Sequence, residues 1–146
     1  MAEDYEKIQI RLASVSEISF MMSPGKLGKD VKPEDIQMGF SSQTQPDIEN
    51  DRFTLVFGVR YETAGEPILE SFYQFVFEVK DLKRFVEFND NQSITVNRIM
   101  PHFLSVAVGT MRGIIIVKTA GTNFSKYLLP MVDINRLNDD LSKTRQ

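Results

Sequence analysis

The 146-residue sequence contains no cysteine, no tryptophan and a single histidine. The absence of cysteine excludes disulfides, thiolate catalysis and cysteine-ligated zinc or iron–sulfur sites. His102 has no second histidine with which to share a metal, so we expect it to be structural or solvent-facing. The sequence has no phosphate-binding loop, dinucleotide-binding loop, serine-hydrolase motif or zinc-protease motif. It therefore predicts a protein that is not an enzyme and that needs no cofactor and no metal.

An excess of one charge is also lacking, with 17 basic against 20 acidic residues and a net charge of -3. The basic residues are scattered, and the lysines of segment 26–32 have no aromatic residues among them, which argues against nucleic-acid binding. The beginning of the chain has no signal-peptide pattern, and the apolar stretch 99–117 is interrupted by Pro101, His102 and Arg112. We therefore expect one cytoplasmic domain over residues 1–146 that has no membrane anchor.

Apolar and polar residues alternate in four segments, which is the pattern of β-strands. These segments are Lys7–Phe20, Ile36–Ser41, Arg52–Tyr61 and Leu69–Val79. We expect the first to keep one register through Ser14 and Ser16. Residues 62–67 contain a glycine and a proline and are predicted to form the turn of a hairpin between the last two strands. Residues 21–33 and 42–51 are predicted to be loops.

Two helices are predicted after the strands. The first runs from Pro101 to about Thr119, because proline is tolerated in a first helical turn and Gly121 can end the helix. The second begins after Asp133, a favourable N-cap, and is a surface helix with one narrow apolar stripe. The predicted fold class is therefore α+β, a four-stranded antiparallel sheet covered on one face by a long and a short C-terminal helix.

The long helix is apolar at almost every angle around its axis, although a helix lying on a sheet needs only one apolar stripe. Small residues recur every four positions at Ser105, Gly109 and Gly113. One interpretation is that these glycines make room for the chain's own sheet. We favour the other, in which the helix is sandwiched between its own sheet and a partner subunit, so that the protein is an obligate homo-oligomer.

Eleven phenylalanines and seven methionines are unusual in a chain of this size. Both side chains make adaptable apolar surface of the kind that holds many different sequences. The alternation of apolar and polar residues does not predict burial for five apolar residues: Phe20, Met21, Met22, Leu27 and Val31.

Residues 6–141 resemble the SecB family of export chaperones. The resemblance rests on a first strand ending in Glu17-Ile18-Ser19-Phe20, on the Phe77-Glu78-Val79 end of the hairpin, and above all on Arg112–Leu137 (RGIIIVKTAGTNFSKYLLPMVDINRL). The chain departs from the family at Gly109–Gly113, which keeps only the arginine of a Pro-Tyr-Ala-Arg-Glu stretch. It also ends in the basic segment 141–146 where family members have an acidic tail, so the resemblance does not support docking to the export motor ATPase.

The resemblance implies a holdase that binds unfolded client polypeptides without ATP, and a homotetramer built as a dimer of dimers with the long helices between sheets. The implied client-binding residues are Phe20, Met22, Leu27, Val31, Phe40, Phe124, Tyr127 and Leu129. We assign to the self-contact surface Ser105, Gly109, Arg112 and Gly113. Two uses stay open, a chaperone of many clients in protein export and a module for one dedicated partner, such as a toxin–antitoxin-associated chaperone. A deep closed pocket with convergent polar groups would instead favour a small ligand.

Overall fold

A computed structural model of the chain describes residues 8–88, 94–95 and 98–144. The strands are β1 Ile10–Met22, β2 Gln37–Asp47, β3 Arg52–Thr63, β4 Glu66–Val79, β5 Glu87–Phe88 and β6 Ile94–Thr95, and the helices are α1 Met100–Lys118 and α2 Ile134–Thr144. The predicted four-stranded antiparallel sheet with two C-terminal helices packed on it is confirmed. Two predicted segments extend beyond the described residues. These are the first strand, through Lys7, and the basic end of the chain, through Arg145 and Gln146.

The main sheet has the strand order β1-β4-β3-β2, and every pair in it is antiparallel. The predicted β3–β4 hairpin is confirmed, with Thr63 paired to Glu66. Its turn is only two residues long, because Ala64 and Gly65 both take left-handed backbone angles, with φ of 52° and 77°. This is the turn geometry that matches the twist of the two strands.

The core lies between the sheet and α1. The ring of Phe103 is centred 4.4 Å from that of Phe53 on β3 and 4.5 Å from that of Phe77 on β4. Helix α2 begins as predicted, because the Asp133 carboxylate accepts the backbone N–H of Arg136 at 3.2 Å. The core-facing residues of the two central strands are fully or almost fully buried: Phe53, Leu55, Phe57, Val59, Tyr61, Leu69, Ser71, Tyr73, Phe75, Phe77 and Val79.

The prediction that β1 keeps one register is wrong. Its pairing with β4 is interrupted between Leu12 and Ser14 and again between Glu17 and Ser19. Each extra residue reverses the alternation of the strand, as a β-bulge does. Glu17 is consequently on the core side opposite Tyr73, whereas Ile18, predicted to be on the apolar face, is 54% exposed.

The prediction of a loop over residues 42–51 is also wrong as far as Asp47. Strand β2 pairs with β3 without interruption from Gln37 to Asp47, and Ser42 and Thr44 occupy core-side positions. Because β2 is an edge strand and only half covered, it needs no strict apolar alternation, and an edge strand also tolerates Pro46. The two-residue strands β5 and β6 were not predicted, since so short a segment has no periodicity.

Candidate functional site

Two rows of core-side residues cross the main sheet at the end where the chain passes from β1 to β2. Strand pairing aligns one row as Phe20, Ser71, Val59 and Phe40 and the next as Met22, Leu69, Tyr61 and Met38. The residues on the central strands β3 and β4 are buried, and those on the edge strands β1 and β2 are half-buried. The end of the sheet therefore has two flanks with partly exposed apolar side chains.

The connector, which we define as residues 119–133 between α1 and α2, covers the middle of these rows. The Tyr61 hydroxyl donates to the carbonyl of Tyr127 at 2.8 Å. Arg112 on α1 donates to the carbonyls of Leu129 at 3.3 Å and Pro130 at 2.8 Å. The side chain of Arg112, expected at a self-contact, is thus engaged by the chain's own connector.

The connector divides the predicted client-binding residues into separate groups. Phe20 and Met22 lie on the β1 flank and Phe40 on the β2 flank, and three strand spacings separate the two edges by about 14 Å. Val31 and Tyr127 are half-buried. Three others belong to the core, with exposed fractions of 6% for Leu27, 0% for Phe124 and 4% for Leu129. The structure therefore does not bring all eight residues into one exposed lining.

Three polar groups meet beside Phe20 on the β1 flank. The Glu17 carboxylate accepts a hydrogen bond from the Lys118 ammonium at 2.7 Å and another from the Tyr73 hydroxyl at 2.9 Å. These hydrogen bonds, that of Lys118 first, lower the pKa of Glu17, and the bond to Glu17 raises the pKa of Lys118. Burial and the carboxylate raise the pKa of Tyr73. The Lys118 ammonium also lies 5.1 Å from the centre of the Phe20 ring, so this group ties the end of α1 to β1.

Asn123, at the start of a 3-10 turn in the connector, holds the crossover loop, which we define as residues 23–36. Its side-chain amide donates to the carbonyls of Pro24 at 3.1 Å and Leu27 at 3.0 Å. The Asn123 Oδ1 atom is buried and has no hydrogen-bond partner within the described part of the chain. No sequence signal indicated this role, since asparagine in a turn ordinarily bonds to its own backbone.

The outer face of α1 is apolar and uncovered in the single chain. A Cβ built on Gly109 or on Gly113 would meet nothing within 4 Å. The interpretation that these glycines make room for the chain's own sheet is therefore wrong. On the same side of the helix Val106, Ile116 and Val117 are 37%, 45% and 75% exposed. By length and composition alone α1 could cross a membrane, but its other face is packed on the core.

The outer face of the main sheet carries a second unusual contact. A Cβ on Gly58 would lie 2.4 Å from the ring of Phe72 and 2.6 Å from the hydroxyl oxygen of Ser41. The ring of Phe72 thus occupies the space that a larger residue at position 58 would need. A cavity of about 550 Å³ beside it is lined by the exposed Ile18 and by Val56. Its lining combines apolar residues with the uncharged polar residues Ser41, Ser42 and Gln43.

A cavity of about 690 Å³ at the opposite end of the sheet is lined by charged side chains. Most of these groups are already engaged, because Glu78 accepts a hydrogen bond from Arg11 at 2.7 Å and forms an ion pair with Arg52 at 3.6 Å. The Asp51 carboxylate accepts the backbone N–H of Leu82 at 3.1 Å. Within residues 8–88, 94–95 and 98–144, no three His, Asp or Glu side chains are grouped to hold a metal ion.

Comparison with protein-family models and with curated proteins finds no match to this sequence. The solved structures that match include one that covers 87% of this chain and 90% of its own, with a TM-score of 0.42 and 11% sequence identity. The match is to a SecB-like chaperone. That protein is from Mycobacterium tuberculosis and was solved in complex with a ChAD peptide from the HigA1 antitoxin.

Proposed function

We propose that this protein is an ATP-independent holdase that binds extended apolar segments of unfolded polypeptides at the end of the sheet described above. The observation that carries the proposal is the pair of flanks on which apolar side chains of edge strands stay half-exposed around a connector that is anchored by hydrogen bonds. In this proposal Phe20, Met22, Val31, Phe40 and Tyr127 contact the client. Phe124 and Leu129 form the floor beneath them, and Leu27 of the loop after β1 packs into the same core.

Such a surface suits clients that share no sequence. Contacts of phenylalanine, methionine and valine are apolar and non-directional, and each buried square ångström contributes about 25 cal/mol. The connector adds Leu128 and Met131, which are 51% and 90% exposed. Because its carbonyls at residues 127, 129 and 130 are already bound by Tyr61 and Arg112, these two side chains are displayed on an anchored segment.

We also propose that a second copy of the chain covers the outer face of α1, in the assembly of two dimers that the sequence led us to expect. The support is the open stripe of Ser105, Gly109 and Gly113 flanked by exposed Ile116 and Val117. A stripe of small residues lets another backbone approach closely, and the adjacent aliphatic side chains supply apolar area. Several client sites in one assembly would add avidity to contacts that are weak individually.

The test is suppression of aggregation by the full chain at stoichiometric ratio, without nucleotide, against several unrelated denatured proteins. Protection of most of them supports the holdase, and protection of none favours a module for one dedicated partner. Phe40→Ser should weaken protection, because Phe40 is a half-buried apolar contact on the β2 flank. The matched control is Phe88→Ser on β5. Phe88 is 60% exposed and is distant in the sequence from the residues of the proposed site.

Circular dichroism must show that both variants are folded, since the Phe40 ring also stacks on Phe57 at 5.7 Å. Equal protection by the two variants would contradict the assignment of Phe40 to the client site.

A further inference from the structure

The crossover loop contributes one buried side chain between its two ends. Leu27 is 6% exposed, while its neighbours Pro24, Gly25, Lys26 and Gly28 are all exposed. Leu27 belongs to the same buried cluster as Phe124 and Leu129, which form the floor of the proposed site. A single leucine therefore inserts from an otherwise solvent-exposed segment into the hydrophobic core, beside the connector whose Asn123 binds its carbonyl.

Asn123 supplies the polar half of this attachment. Its two amide hydrogens are donated to the main-chain carbonyls of Pro24 and Leu27, on either side of a short 3-10 turn. Main-chain carbonyls are common to every polypeptide, so this contact does not depend on the side chains of the loop. The Leu27 segment is thus held by one apolar side chain and by its backbone, the two features that any extended apolar client offers.

The closed arrangement leaves one hydrogen bond unmade. Asn123 Oδ1 is buried without a partner among the described residues, and a buried unsatisfied acceptor destabilises the state that contains it. The side-chain link from the loop to β4, Lys26 to Glu66 at 3.7 Å, is solvent-exposed and weak. The backbone N–H of Ser23 is bound to the carbonyl of Ile68 at 2.9 Å, which fixes the start of the loop next to β4. Opening therefore needs only the segment after Ser23 to move.

We infer that the Pro24–Leu27 segment is a built-in substitute for a client, with Leu27 in an apolar seat and Asn123 as the latch that binds its backbone. This inference rests on the proposed holdase function and specifies how that site recognises a chain. A client displaces the segment by placing an apolar side chain in the Leu27 seat and a main-chain carbonyl on the Asn123 amide. Its backbone N–H groups are the donors that Asn123 Oδ1 lacks in the closed form. The apparent client affinity is then reduced by the fraction of molecules that are closed.

The experiment uses the full chain and two readouts. The first is tryptic cleavage after Lys26 and Lys29, with fragments identified by mass, because cleavage of a transiently opened segment reports the open population. The bond after Lys32 precedes Pro33 and is resistant to trypsin. The second is the affinity for a permanently unfolded, reduced and alkylated protein. Cleavage confined to the two loop lysines distinguishes local opening from global unfolding.

Leu27→Ala should accelerate cleavage at both lysines by about tenfold or more and should tighten client binding, because it removes the competitor from its seat. Asn123→Asp keeps the size of the side chain but replaces the donor, so it should accelerate cleavage with little gain in affinity. Phe88→Ala, at an exposed position of β5 outside the proposed site, is the control and should leave cleavage and client affinity unchanged.

Unchanged cleavage in Leu27→Ala would overturn the inference. Faster cleavage with weaker client binding would also overturn it, because Leu27 would then be a client contact itself. If the wild type binds the client and neither variant changes the affinity, the inference is refuted and the holdase function stands. Absence of binding by every form, the wild type included, would overturn the proposed function together with the inference.

Discussion

Replacing Gly109 by leucine separates the stability of the single chain from its assembly. Gly109 lies inside α1, and a Cβ there meets nothing within 4 Å. The substitution should therefore stabilise the isolated fold, since glycine in a helix interior is about 0.8–1.0 kcal/mol less favourable than alanine and leucine ranks close to alanine. For a chain of this length that gain corresponds to a rise in melting temperature of about 3 °C.

In a close helix contact the same leucine should be unfavourable. Forcing a large side chain into a packed contact costs about 1–3 kcal/mol, and a two-fold contact contains the substitution twice. The total is about 2–6 kcal/mol, so the dissociation constant should rise at least about 30-fold. Gly109→Ala gains nearly the same helix propensity while adding only a methyl group. It should therefore stabilise the fold with a smaller effect on assembly.

Multi-angle light scattering over a dilution series of about a hundredfold measures the assembly, and thermal unfolding measures the fold. Asp140→Leu is the control, because it adds a leucine at an exposed position of α2. We expect the mass of Gly109→Leu to fall at concentrations where the wild type and the control remain assembled. An equal mass at every concentration would refute the placement of a second copy on this face, and so would a monomeric wild type.

Three further predictions follow from single contacts. Gly58→Ala should cost about 1–3 kcal/mol of unfolding free energy because its Cβ would overlap the Phe72 ring. In a double-mutant cycle Phe72→Leu should recover part of this loss, and additive effects of the two substitutions would exclude the overlap. Burial raises the pKa of Tyr61 to about 12, above the unfolded value of 10.0, so stability is complete below pH 10 and should fall by about 2–3 kcal/mol as the pH rises to 12. Urea unfolding should show this fall in the wild type but not in Tyr61→Phe, and an equal fall in both would assign it elsewhere. In Arg112→Lys the lysine has no planar fork with which to bind two carbonyls, so the substitution should cost about 1–2 kcal/mol of unfolding free energy. Amide hydrogen exchange in the residues after Tyr127 should become faster, and unchanged exchange there would contradict the anchoring of the connector.

The sequence predicted the strands best where the sheet is most deeply covered. In β3 and β4 every core-side position is filled by a residue that the alternation selected, with Ser71 the exception. The edge strands were less predictable, since burial constrains one side of them only partly. The polar half of β2 has no apolar alternation to read, and the bulges of β1 are set by its pairing with β4 rather than by its own residues.

The sequence did not predict which of the proposed client-binding residues are buried. Periodicity cannot decide which apolar residues of an irregular segment turn inward, and the connector is such a segment. Its conformation depends on Tyr61, which is 66 residues from its partner Tyr127 in the sequence, and on Arg112. Asn123 shows the same limit, because its partner Pro24 is 99 residues away. The local sequence contains no sign of either contact.

The two proposed binding surfaces meet at α1, which allows them to be separated. Arg112 holds the connector beneath the proposed client site, whereas Gly109 and Gly113 on the same helix face outward. A dissociated Gly109→Leu chain should therefore keep the closed crossover loop, with tryptic cleavage after Lys26 at the wild-type rate. It should bind one short apolar peptide with unchanged affinity but a long unfolded chain more weakly, because only the long chain spans several sites of one assembly. Calorimetry with both ligands measures the difference, and an equal loss for the peptide would mean that the second copy contributes to each client site.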